Sequence, residues 1–191
     1  MNTQTHAIFN LAVLGTARRP ELILPILVGG VLPDICMFGF YAVQKILGTP
    51  EATIWGLSYF QPRWQAFFNA FNSFPLITAL LLVAVVANWP RVTALLASME
   101  LHCLGDIFLH HDDGHGHFWP LSSWHFESPV SYWDPEHYGL FWIPIELVLY
   151  AGCLAVLWRR HPSRRARVGV GLAAAIPPMF ITFVLTVWLI Q

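Results

Sequence analysis

The sequence predicts an all-α membrane protein. The expected form is a polytopic transmembrane helical bundle of about five spans plus a short N-terminal helix, with an outer loop rich in aromatic residues and histidines. Three observations carry this. The 191-residue chain is 56% hydrophobic and only 11% charged, where a soluble domain carries roughly 25% charged residues. Its mean hydropathy is +0.55. Apolar runs long enough to cross a hydrocarbon core of ~30 Å recur along it. The length suits one domain, residues 1–191.

The elements follow in order. Residues 3–17 form a shorter apolar helix. The first long span is 22–47, and Pro25, Gly29, Gly30 and Pro33 within it predict a kink or a break. Residues 54–71 are crowded with aromatics, from Trp55 and Tyr59 to Phe71, which suits an interfacial helix. Further spans are expected at 74–89, 92–110, 140–158 and 168–190, the last interrupted by Pro177 and Pro178.

The basic residues orient the bundle. Arg18 and Arg19, then Arg91, then Arg159, Arg160, Arg164, Arg165 and Arg167 fall in connections that share one side, which accounts for eight of the ten. The positive-inside rule makes that side cytoplasmic. Loops 48–73 and 111–139 then face outward. The expected location is a bacterial inner membrane, or an intracytoplasmic or thylakoid-type membrane, crossed several times. The N-terminus has no basic n-region, and no cleavable signal peptide is expected.

Some function classes fall away. A net charge of −1 with no basic, aromatic-interleaved patch gives nucleic acid nothing to bind. Cys36, Cys103 and Cys153 are scattered through apolar segments without a Cys-x-x-Cys pair, which predicts buried structural thiols. There is no phosphate-binding loop, dinucleotide fingerprint or nucleophile elbow.

The stretch 101–117, LHCLGDIFLHHDDGHGH, concentrates the chemistry. His102, Asp106 and His110 are spaced i, i+4, i+8 and share a helix face. A carboxylate at membrane depth normally faces the bundle interior and has a partner. That partner is either a divalent metal or a polar group on another helix. Asp34, in Leu32-Pro33-Asp34, is a second intramembrane carboxylate, readable as a ligand, as a general base or as a cap at a helix break. His6 sits at similar depth, as a ligand or an interfacial histidine. His111 to His117, with two glycines, forms a lid-like loop that either wraps metal or is merely hydrated. Within it Asp112 and Asp113 are candidates for a general base or for ligands of a second metal. Glu100 and Glu146 are lesser candidates that would orient a ligating histidine.

The N-terminal histidine helix, Leu32-Pro33-Asp34, His102-x-x-x-Asp106 and Phe118-Trp119-Pro120-Leu121 resemble, in this order, the YdjM/YbcI-like inner-membrane proteins. These are described as membrane-bound metal-dependent hydrolases distantly similar to zinc-dependent phospholipase C. The resemblance implies metal ligands at His6, Asp34, His102 and Asp106. It also exposes a departure. Where the wider family carries a His-Ser pair, this chain has Asn72-Ser73, and asparagine is a far poorer zinc ligand than histidine. Replacement ligands from His110 and His111 onward, or loss of activity, would follow.

The expected function is therefore a metal-dependent hydrolase acting on a phosphoester or lipid-type ester at the outer membrane face. Zinc is the first choice of cofactor, with manganese or iron as alternatives given the aspartates. The expected partner is membrane lipid. The rival expectation is a non-catalytic metal-binding or accessory subunit of a larger membrane complex, or a homo-oligomer. A transporter, with the intramembrane Asp and His as a permeation path, is a further rival that no internal repeat supports.

Overall fold

The computed structural model describes residues 1–176, and among these all regular structure is helical. The helices are α1 Thr3–Leu14, α2 Ile23–Ile46, α3 Glu51–Thr53, α4 Pro62–Phe71, α5 Phe74–Val86, α6 Pro90–Asp106, α7 Gly139–Arg160 and α8 Arg164–Ala174. Among the described residues, three stretches are long and apolar enough to cross a membrane: Pro20–Ile46, Pro62–Val86 and Gly139–Arg160.

This differs from the expected five in definite ways. The span expected at 74–89 is lengthened at its start. The second half of the aromatic segment, α4, runs into α5 with a break at Asn72 and Ser73. Ser73 caps α5, its Oγ accepting from the Leu76 N–H at 3.2 Å, and Pro75 lies in the first turn. The span expected at 92–110 stops early, because the Leu109 N–H turns back to the Asp106 carbonyl at 2.9 Å. The resulting helix, α6, has 17 residues. Its length of about 25 Å falls short of the hydrocarbon thickness that roughly 20 residues would span. Most of the span expected at 168–190 lies outside the described residues.

The kink or break expected in the first span is also absent as a break. α2 continues through Gly29, Gly30 and Pro33. The two glycines serve helix crossings instead. A Cβ on Gly29 would collide with the Leu95 carbonyl oxygen of α6, and one on Gly30 would lie 3.0 Å from the Ala7 Cα of α1. Close backbone approach of this kind is how helices gain contact where lipid removes the hydrophobic drive. A polar node ties the same three helices. Asn10 Nδ2 donates to the Ser98 carbonyl at 2.8 Å and to Ser98 Oγ at 2.9 Å, and Ser98 Oγ donates to the Ile26 carbonyl at 2.6 Å.

The bundle has two chemically distinct ends. At one, Arg160 Nη1 donates to the Ala12 carbonyl at 2.7 Å and to the Gly15 carbonyl at 2.6 Å, closing the C-terminus of α1. The turn Pro20–Leu22, which follows Arg19, packs against α6, whose first turn carries Arg91. The arginine-bearing connections thus gather together, as the charge pattern required. At the other end, segment 107–138 folds onto the α4–α5 junction. Phe74 N–H donates to the His117 carbonyl and Gly116 N–H to Asn69 Oδ1, both at 2.8 Å, while Ser73 Oγ donates to the Trp119 carbonyl. An aromatic cluster centred on Phe40 packs α4 against the upper part of α2. The Trp64 ring lies 4.9 Å from the Phe40 ring, and the Phe68 ring lies 5.4 Å from it.

Candidate metal centre

Three helices deliver the polar residues to one point. α6 presents His102 and Asp106 one turn apart. α1 presents His6 and α2 presents Asp34. His6 and His102 are fully buried, and their rings stack with centroids 3.7 Å apart. Asp106 is 2% exposed and Asp34 8%. Burying carboxylates this deeply is costly unless each has partners.

The distances show how they are arranged. His6 Nε2 lies 2.7 Å from Asp106 Oδ1. His102 Nε2 lies 3.1 Å from Asp106 Oδ2 and 3.4 Å from Asp34 Oδ1. His102 Nδ1 sits 2.9 Å from the Gly30 carbonyl oxygen. A carbonyl only accepts, so Nδ1 carries a proton, and Nε2 is the ring nitrogen left to face the two carboxylates or a metal. Among the described residues that Nε2 has neighbours at ion-pair distance but no aligned hydrogen bond, and His6 Nδ1 is likewise unpartnered. Four donors at ~2.1 Å from a tetrahedral zinc stand about 3.4 Å from one another. His6, His102 and Asp106 each offer an atom within 4.8 Å of the others. This donor set fits a divalent metal.

The chain also supplies its own partners. The α-amino group of Met1 donates to Asp106 Oδ1 at 2.6 Å, and Thr3 Oγ1 donates to Asp34 Oδ2 at 2.5 Å. Glu146 of α7 accepts from the Asn2 N–H at 2.8 Å and from Trp142 Nε1 at 3.1 Å. A carboxylate at the N-terminus of α1 complements its dipole and fixes the helix that carries His6. From the sequence Glu146 ranks low, and Asn2 and Thr3 have no part. Hydrogen bonds between residues so far apart in the chain leave no periodic signal. Glu100 takes another role, accepting from Thr78 of α5.

The segment after α6 divides its candidates. His110 joins the centre, with Nε2 3.6 Å from Asp106 Oδ2 and Nδ1 3.0 Å from Asp113 Oδ2. Burial opposes charge on His110, but Asp106 and Asp113 outweigh it and raise its pKa to about 9. Burial opposes charge on Asp113 too, yet His110 holds its carboxyl below the usual range, and Trp133 Nε1 donates to it at 3.0 Å. His115, 6% exposed, is kept neutral, its pKa pushed down to about 4 by burial and by the charge on His110. A cavity of about 680 Å³ opens on this group. Asp34, Asp106, His110, Asp113, His115 and Tyr132 line its polar side.

His111 and Asp112 lie elsewhere. His111 Nδ1 donates to the Ser128 carbonyl at 2.8 Å, and its ring stacks on His137 at 3.7 Å. Asp112 is exposed and borders a separate pocket of about 270 Å³ with Asn69 and Trp119. Asn72 is fully buried but turned from the centre, its Nδ2 donating to the Phe68 carbonyl at 3.1 Å. Its own carbonyl accepts from His117 Nδ1 at 2.9 Å. His110 and His115 therefore stand at the cavity, while His117 pins the loop at Asn72. The three cysteines are buried, and none pairs with another.

Comparison with curated proteins and with solved structures finds no match. The model of one family, the YdjM inner membrane proteins, matches residues 1–189, and together with the apolar helices this makes the chain a multi-pass inner membrane protein belonging to that family.

Proposed function

We propose that the protein is a metal-dependent hydrolase cleaving a phosphoester or lipid-type ester at the outer membrane face. One observation carries the reading: His102 is locked by its Gly30 hydrogen bond so that an Nε2 with no aligned hydrogen bond among the described residues faces Asp106 and Asp34. A backbone acceptor on the second ring nitrogen is the usual device for orienting a ligating histidine. His6, His102, Asp106 and Asp34 would hold the cation, with His110 beside them. Zinc suits the two histidines best, with manganese or iron as alternatives. What such a cation supplies when bound is Lewis acidity, acidifying water and polarising an ester or phosphoester oxygen. Asp113, inside the cavity and paired with His110, is the better placed of the two acidic candidates for general base. Asp112 is exposed and does not line that cavity.

A second reading has its own support. Asp106 also has partners without a cation, with His6 Nε2 at 2.7 Å, His102 Nε2 at 3.1 Å and His110 Nε2 at 3.6 Å. That favours a non-catalytic accessory subunit of a membrane complex or homo-oligomer. Elemental analysis of the gently purified protein separates the two, with His102→Ala and Asp106→Ala as controls. The hydrolase reading expects about one metal per chain in wild type and little in either variant, with turnover in a panel of phosphoesters and lipids. A wild-type protein without metal would overturn it.

A further inference from the structure

The cavity above the centre has a second wall that the chemistry of the site does not use. Val31, Met37 and Phe38 of α2, with Ala7 of α1, form it. Val31, Asp34 and Phe38 are spaced i, i+3, i+7 and share one helix face, so the carboxylate and the apolar wall are continuous. Phe38 is 52% exposed, whereas the other lining residues are buried or half-buried. The way out of the cavity therefore passes a phenylalanine.

Depth decides what lies beyond that phenylalanine. Phe38 stands 15 residues after Ile23, about 22 Å along a helix rising ~1.5 Å per residue. A hydrocarbon core is ~30 Å thick, so this height is acyl chain and not water. The headgroup side is roofed. Tyr132 N–H is tied to the Leu109 carbonyl at 3.0 Å, and Tyr59 reaches the Asp113 carbonyl at 3.4 Å. Below, α1 and α2 close on each other where Ala7 meets Gly30. The opening lies between these limits, flanked by Thr3 and Gln4 on α1 and by Val31 and Phe38 on α2.

We propose that this cavity is a lateral binding site for a membrane phospholipid, whose phosphoester meets the centre at Asp34, Asp106 and His110 and whose acyl chain leaves between α1 and α2 along Val31 and Phe38. The identification of the polar end rests on the hydrolase reading, which places a cation there. The cavity holds about 680 Å³. That is the size of site that buries a drug-sized ligand, enough for a headgroup and the first part of a chain.

The test uses the full chain in phosphatidylcholine nanodiscs doped with phosphatidylglycerol that carries a diazirine in its acyl chain. After illumination, labelled peptides are mapped and metal content is measured on the same sample. Label is expected to concentrate on residues 3–7 and 31–38, about tenfold above the lipid-facing Leu80 and Val83 of α5. Val31→Trp and Gln4→Trp fill the opening from opposite walls, and each is expected to remove that excess while leaving metal content at the wild-type level. Soluble glycerol phosphate is expected to compete poorly. Uniform label over all exposed apolar helices, label unmoved by both tryptophans, or full displacement by glycerol phosphate would each overturn the proposal. Portal-dependent labelling with no ester cleaved and no metal bound would leave the lipid site standing while the hydrolase reading falls.

Discussion

The Nδ1 of His102 donates to the carbonyl of Gly30 across the α6–α2 crossing, at 2.9 Å. The same glycine packs tightly under Ala7 and Asn10 of α1, so one residue sets both a ring orientation and a helix spacing. Gly30→Ala would bring a Cβ to 3.0 Å from Ala7 Cα and 3.2 Å from Asn10 Nδ2. The expected result is a loss of about 1–3 kcal/mol of stability by overpacking, with metal content falling further than helix content. Thermal unfolding in detergent, circular dichroism and elemental analysis on one sample check this. Unchanged metal would show that the Gly30 carbonyl does not set the ligand.

The node of Asn10, Ser98 and the Ile26 carbonyl makes a second prediction. Asn10→Ala removes two hydrogen bonds inside a dry bundle. A loss of about 1–3 kcal/mol is expected. Ser98→Ala removes the hydroxyl but leaves its backbone acceptor, so its cost is expected to be smaller. A double-mutant cycle between them should give a coupling of about 0.6 kcal/mol, typical of polar pairs between membrane helices. Additive losses would mean that Asn10 acts through the Ser98 carbonyl and its packing, without the Ser98 hydroxyl.

Much of the site is legible in the sequence because helix geometry is periodic. A four-residue spacing places His102 and Asp106 together, and the cost of a charge in an apolar run singles out Asp34. The glycines of α2 mislead, since Gly29 and Gly30 read as a break until the crossings with Leu95 and Ala7 are seen. Hydropathy alone carries the end of α6 one turn too far, because the chain turns back onto the Asp106 carbonyl. The loop is least legible. The i, i+4, i+8 spacing picks out His110, but His111, His115 and His117 are equivalent in sequence, and only folding sends His115 to the cavity, His111 to Ser128 and His117 to Asn72.

Opposed shifts on two loop histidines predict a bell-shaped stability profile in the presence of a chelator. His115 titrates near 4 when folded and near 6.5 when unfolded. The unfolded chain therefore takes up the proton first, and stability from this group is lost as pH falls from about 6.5 toward 4. His110 is raised to about 9, so its contribution is full below 6.5 and is lost as pH rises through 9. Urea unfolding from about pH 4 to 9.5 should peak near 6.5. His115→Gln is expected to flatten the acid limb and His110→Gln the alkaline limb. An acid limb that survives His115→Gln would assign the loss to other groups.

The arginine-rich end and the histidine-rich end predict opposite sides of the membrane. Cys36, Cys103 and Cys153 are buried and give little background to a thiol reagent. Ser123 and Pro162 are exposed at the two ends. In intact cells a membrane-impermeant maleimide should label Ser123→Cys and spare Pro162→Cys, which should react once the membrane is opened. The charge rule places Arg159, Arg160, Arg164, Arg165 and Arg167 on the cytoplasmic side, so the cavity and its loop would lie outside. The reverse pattern would put the centre toward the cytoplasm, and every substrate presented only from the outer leaflet would be excluded. Equal labelling of both positions would mean that the chain does not separate the two ends across a bilayer.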